Sequence, residues 1–136
     1  MDQEPIHPLQ AMLDGASAQW QKRRSQTQMT LGKLIETLKS LDPERRIVGL
    51  GDPMSYRGYY SDLSFDPSTE ILTVAAALHR AKECMGEKFM GYKGGDFYMS
   101  AATPLWSANY GDCGFRIMGL NLAVDPITLD LKEEES

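Results

Sequence analysis

Residues 30–41 read TLGKLIETLKSL, and this stretch decides the fold class. Its leucine and isoleucine side chains recur three and four positions apart, so they share one face of a helix. Thr30 is suited to accept a hydrogen bond from the first helical turn. An apolar face of this kind is stable when it packs on another element. The stretch therefore predicts an amphipathic helix at about 30–41 that covers one side of a core.

Residues 73–85, TVAAALHRAKECM, predict a second helix of the same kind. Thr73 can cap its start, and Gly86 can take the left-handed conformation that often follows a helix. Between the two helices, residues 59–65, YYSDLSF, alternate between two faces as a strand does. We therefore expect one shared core that buries Leu34, Leu38, Leu63, Phe65 and Leu78.

The last third of the chain has the composition of short strands joined by turns. Residues 89–92 and 97–99 flank KGGD at 93–96, which predicts a hairpin. Further strand-like stretches are 46–50, 105–108 and 115–122. Together these elements predict an α+β fold with a small, mostly antiparallel sheet, two packed helices and an N-terminal helical extension.

Both ends of the chain differ from the middle. Leu9, Met12, Leu13, Ala16 and Trp20 form an apolar stripe that predicts a helix at about 8–24, followed by a polar linker at 25–28. This stripe packs either on the core of its own domain or on another subunit. After a turn at 125–126 the chain becomes acidic. We divide it into a helical extension (1–28), an α+β domain (29–124) and a mobile acidic tail (125–136).

Composition limits the location and the partners of the protein. A chain of 136 residues, 42% of them hydrophobic, fits one domain. No apolar run approaches the roughly 20 residues of a membrane span, and the start of the chain lacks the pattern of a signal peptide. Two cysteines are too few for a disulfide framework, which favours the cytoplasm. The net charge of −5 disfavours long nucleic acids but permits a small anionic ligand.

No complete catalytic or metal-binding set occurs in the sequence. The two histidines, His7 and His79, have no further ligands at zinc spacing. Glycine-rich phosphate loops and nucleophile elbows are also missing. Several aspartates lie near turns, where they usually serve turn chemistry. We therefore predict a binding protein with no catalytic residues, no metal and no cofactor.

A polar and aromatic stretch, SYRGYYSD at 55–62, is the best candidate for a ligand site. The planar fork of Arg57 suits a phosphate, and tyrosine rings can stack on a base. WSANYGD at 106–112 and YKGG at 92–95 have similar compositions. The predicted ligand-binding residues are Tyr56, Arg57, Tyr59, Tyr60, Lys93, Trp106, Asn109 and Tyr110. The structural alternative is that Tyr59 and Trp106 belong to the core and the glycine pair only forms a turn.

Three segments resemble a family of small proteins encoded by bacteriophages and prophages. They are MTLGKLI at 29–35, GDPMSYRGYYSDL at 51–63, and GYKGGDF at 91–97 with TPLW at 103–106. The resemblance covers about residues 29–122. A weaker one is to the anti-CBASS sponges of phages, oligomers that sequester cyclic-oligonucleotide signals of host defence.

The resemblance implies a phage immune-evasion protein of the host cytoplasm that sequesters a small nucleotide, such as a cyclic dinucleotide, without catalysis. It also implies a homo-oligomer, a dimer or a tetramer. A two-fold interface that presents the aromatic cluster twice would match a nearly symmetric cyclic dinucleotide. No site residue follows from the resemblance. Two other functions stay open: a protein-binding inhibitor of a host defence effector, and a metal-dependent nucleotide hydrolase that uses loop aspartates.

Overall fold

Two helices packed against each other form one side of the core. The computed structural model describes residues 19, 21–56, 59–91, 94–108 and 114–133, and within them the helices are α1 (21–27), α2 (Leu31–Lys39) and α3 (Val74–Cys84). The hydroxyl oxygen of Thr30 accepts from the amide of Lys33 at 3.3 Å, and that of Thr73 accepts from the amide of Ala76 at 3.1 Å. Both predicted caps are confirmed, and α2 packs on α3 as expected.

The strands pair mostly antiparallel. They are β1 (Arg46–Val48), β2 (Pro53–Ser55), β3 (Leu63–Phe65), β4 (Ile71–Thr73), β5 (Lys88–Met90), β6 (Asp96–Tyr98), β7 (Leu105–Ser107), β8 (Phe115–Asn121) and β9 (Thr128–Glu133). The largest sheet has the order β2-β3-β7-β8-β9, in which only the β3–β7 pair is parallel. Two antiparallel pairs, β1–β4 and β5–β6, stand beside it. The α+β prediction is confirmed.

The core lies between α2, α3 and the sheets. Leu34, Leu38, Leu63 and Phe65 are at most 1% exposed, and half-buried Leu78 packs against them. The predicted shared core is therefore confirmed. Within the described residues, no helix is long and apolar enough to span a membrane.

The two edges of the main sheet differ. β2 is three residues long and begins with Pro53, which has no amide hydrogen to offer a neighbouring strand. β9 is six residues long, and residues 130–133 are exposed. In the described part of the chain, another strand meets the outer side of this segment only at a parallel bridge between Ile47 and Ile127.

The strand predicted at 59–65 is correct only for Leu63–Phe65. Residues 59–62 form a turn, closed by a hydrogen bond from the amide of Asp62 to the carbonyl of Tyr59 at 2.8 Å. β3 lies between two other strands and is buried on both faces, so the alternation seen in the sequence does not describe its burial. Strands β2 and β4 are additional elements that the sequence pattern did not predict.

The predicted mobile tail at 125–136 is wrong over Thr128–Glu133, because these residues form β9 and pair with β8. Leucine at 129 and 131 alternates with the charged residues at 130 and 132, which is a strand pattern inside an acidic segment.

The linker predicted at 25–28 is helical through residue 27. The hydroxyl of Ser25 donates to the carbonyl of Lys22 at 2.7 Å, so this polar residue bonds within the helix. The apolar stripe from Leu9 to Trp20 lies outside the described residues.

Candidate functional site

The loop between β2 and β3 is built around a carboxylate with no exposed surface. Asp62 is 0% exposed, and its oxygens accept hydrogen bonds from the indole of Trp106 at 2.9 Å and from two guanidinium nitrogens of Arg24 at 2.7 and 3.1 Å. The side-chain amide of Gln21 donates to the same carboxylate at 3.4 Å. A buried charge is tolerated when it is paired and hydrogen-bonded, and Asp62 meets both conditions.

Two of the predicted ligand-binding rings pack against each other. The rings of Tyr56 and Trp106 are stacked, with centroids 4.2 Å apart and planes 7° apart, and the residues are 5% and 1% exposed. The Tyr56 hydroxyl accepts from the amide of Gly114 at 3.0 Å. A Cβ on Gly114 would lie 2.7 Å from the Tyr56 ring, so only glycine permits this approach. Tyr56 and Trp106, two of the predicted ligand-binding residues, are therefore buried with their rings packed against each other.

Tyr59 is the tyrosine that borders both this cluster and the surface. It is half-buried, and the guanidinium carbon of Arg24 lies 3.8 Å from the centre of its ring, a cation–π contact. Its ring is tilted against those of Tyr56 and Trp106, at 6.0 and 5.8 Å. Among the described residues, the cation that packs on the Tyr59 ring is therefore Arg24 of α1.

Sequence reasoning missed Arg24 as a site residue. The sequence does contain a signal for it. Gln21, Arg24 and Gln28 are spaced by three and four positions, which places the first two on one polar face of α1 and Gln28 just beyond its end on the same side. Each of the three bonds to the β2–β3 loop or to β7, with Gln28 donating to the carbonyl of Leu105 at 2.8 Å. Helix docking is normally inferred from an apolar stripe, and here a polar stripe docks the helix.

An open groove of about 450 Å³ lies beside the cluster, lined by Gln19, Arg23, Arg24 and Tyr59. Arg23 is exposed, and no carboxylate among the described residues pairs with it. The groove therefore combines a guanidinium available to an anion, an amide and an aromatic ring with a hydroxyl. Its volume falls within the range of roughly 300–1,000 Å³ typical of small-molecule sites.

Of the remaining predicted site residues, only Tyr60 is among the described residues. Tyr60 is half-buried and its ring lies 5.8 Å from that of Phe97, on the side of the β5–β6 hairpin. Arg57, Lys93, Asn109 and Tyr110 lie outside the described residues.

Metal ligands and thiols are the other groups that could react in the described ranges. No group of three or more potential metal ligands occurs in them. Cys84 is 2% exposed, and burial raises the pKa of its thiol to about 11, so it is a protonated thiol at neutral pH. Neither finding adds a reactive centre to the groove.

No protein-family model, no curated protein and no solved structure matches this chain.

Proposed function

We propose that this chain is a binding protein for a small phosphate-bearing nucleotide, held in the groove lined by Gln19, Arg23, Arg24 and Tyr59. The observation that carries the proposal is the exposed Arg23 beside the half-buried ring of Tyr59 in a groove large enough for a nucleotide. A guanidinium binds phosphate through parallel N–H donors, and a tyrosine edge and an amide can hydrogen-bond to a base or a sugar.

The rigidity of the groove wall supports the proposal. Arg24 is fixed by the carboxylate of Asp62 and by the Tyr59 ring, so the wall is organised before a ligand arrives. Side chains that are already ordered lose less conformational entropy on binding, which favours affinity. The net charge of −5 does not oppose such binding, because one local cation is enough for a small anion.

The wider role we propose is sequestration of a nucleotide signal of host anti-phage defence, in the host cytoplasm and without catalysis. It is supported by the resemblance of segments 29–35, 51–63, 91–97 and 103–106 to phage-encoded proteins, and by the groove. A cyclic dinucleotide is the ligand to test first.

The test compares Arg23→Ala with Lys22→Ala, a neighbouring exposed cation that does not line the groove. Binding of cyclic and linear dinucleotides, mononucleotides and inorganic phosphate is measured by calorimetry. We expect Arg23→Ala to weaken binding by about 1.5–3 kcal/mol, the value of a lost charged hydrogen bond, and Lys22→Ala to have little effect. The melting temperature should stay unchanged in both variants, because both side chains are exposed.

Equal binding by wild type and Arg23→Ala would show that the groove is not the nucleotide site. Arg57→Ala in the same series would then test the arginine of the 55–62 stretch, the site predicted from the sequence. Chromatography of the ligand after incubation separates sequestration from hydrolysis. Intact ligand supports sequestration, whereas cleaved ligand would establish an enzyme.

A second function, inhibition of a host effector by protein binding, is favoured by the β5–β6 hairpin. Met90 and Tyr98 are 74% and 67% exposed on one face of this hairpin, and large exposed apolar side chains are common at protein interfaces. If no nucleotide binds, substitution of Met90 and Tyr98 on this face should abolish inhibition of the host effector.

A further inference from the structure

The outer edge of β9 carries an alternating pattern of charge and leucine. Residues 130–133 are exposed, with Leu131 at 45%. Leu131 lies opposite the buried Ile117 of β8, whereas Lys132 lies opposite Arg116 and Asp130 opposite Gly119. Leu131 thus continues the apolar face of the sheet, and the two charged residues lie on the other face. A strand edge of this kind is a template for another strand.

The order of charges selects one way in which a second copy can pair. In an antiparallel pair centred on Leu131, Asp130 lies opposite the partner's Lys132, and the two-fold axis forms this pair twice. Leu131 then meets the partner's Leu131 on the apolar face.

The neighbouring registers of the same antiparallel pair are less stable, because they place like charges opposite each other. A pair centred on residue 130 places two Asp130 carboxylates opposite each other. A pair centred on residue 132 places two Lys132 ammonium groups opposite each other. Like charges that face each other across strands are destabilising.

We propose that this protein forms a two-fold dimer by antiparallel pairing of the β9 edges, with Leu131 on the axis. The pairing involves only the last residues of β9, because β1 closes the edge at Ile127. The interface is therefore small, and the dimer should dissociate on dilution. This proposal is independent of the ligand that the groove binds.

Cross-linking through an introduced cysteine tests the register. Opposite residues of an antiparallel pair have Cα atoms about 4.5–5.5 Å apart, within the range that a disulfide spans. In a Cys113→Ser background, Leu131→Cys should form a disulfide-linked dimer under mild oxidation. Asp130→Cys and Lys132→Cys should cross-link poorly alone and efficiently when mixed, because each lies opposite the other only in this register.

Charge reversal tests the ion pairs. Light scattering should give a mass of about twice 15.2 kDa for the wild type at high micromolar concentration. Lys132→Asp should give the monomer mass, and the exchanged pair Asp130→Lys with Lys132→Asp should restore the dimer. A monomeric wild type would overturn the proposal, as would a dimer that resists charge reversal and does not cross-link at position 131. A monomer whose β9 edge instead takes up an extended peptide of another protein would also overturn it.

Discussion

Asp62 is a charged residue in the interior whose carboxylate is shared between an indole and a guanidinium. In water each of these groups would be solvated, so their burial is stable only while all are present. The three come from α1, the β2–β3 loop and β7. One carboxylate therefore joins three parts of the chain.

We expect Asp62→Asn to lower the free energy of unfolding by about 3–5 kcal/mol, because it leaves the guanidinium of Arg24 without its counter-charge in a largely buried place. Asp52→Asn is the matched control, since the side chain of Asp52 is 90% exposed, and it should change stability by less than about 0.5 kcal/mol. Denaturant unfolding measures both. Equal stability of the two variants would mean that Arg24 finds another partner or turns to solvent.

Sequence reasoning identified Tyr56, Tyr59 and Trp106 as residues that converge, but it did not predict which of their faces are open. Trp106 and Asp62 are separated by 44 positions, and Arg24 and Asp62 by 38. Whether a ring faces solvent depends on such distant neighbours, which local composition does not contain. Arg24 was missed as a site residue for the same reason.

Among the elements, α2 and α3 were predicted correctly because their signals are local. A threonine cap and an apolar stripe lie within each of them. β3 and β9 were predicted poorly, because a strand of three to six residues depends on the partners that the sheet supplies. α1 differs from both groups, because a polar stripe rather than an apolar one docks it on the domain.

Docking of α1 should depend on the shape of the Arg24 side chain as well as its charge. Arg24→Lys keeps the charge but loses the two-pronged hydrogen bond and the stacking on Tyr59. We expect faster amide exchange over residues 21–27 and a loss of about 1–2 kcal/mol in unfolding free energy, comparable with a lost charged hydrogen bond. Arg23→Lys should change neither, because Arg23 is exposed. Similar exchange in the two variants would show that the aliphatic part of the side chain is sufficient.

At the scale of the whole molecule, the two proposed surfaces lie at opposite edges of the main sheet. The groove adjoins the loop between β2 and β3, and β9 is the far edge strand. A dimer through β9 therefore holds two separate grooves. This differs from the two-fold shared site that the sequence suggested for a cyclic dinucleotide.

If both proposals hold, calorimetry should give one ligand per protomer, and the monomeric Lys132→Asp variant should bind with unchanged affinity. The physical reason is that the described residues of the groove adjoin the β2–β3 loop, at the opposite edge of the main sheet from Leu131. The exchanged pair Asp130→Lys with Lys132→Asp serves as the dimeric control. A stoichiometry of one ligand per two protomers, or a loss of affinity in the monomer, would place the ligand at a subunit interface.

Pro53 limits how large such an assembly can become. Within the described residues, the open part of the β9 edge is the exposed segment 130–133, and the proposed two-fold pairing would occupy it. The opposite edge, β2, is short and begins with a residue that cannot donate a backbone hydrogen bond. Growth of a continuous intermolecular sheet would require both edges, so the proposed assembly would stop at two copies. In that assembly, Pro53 would prevent β2 from extending the sheet into a fibre.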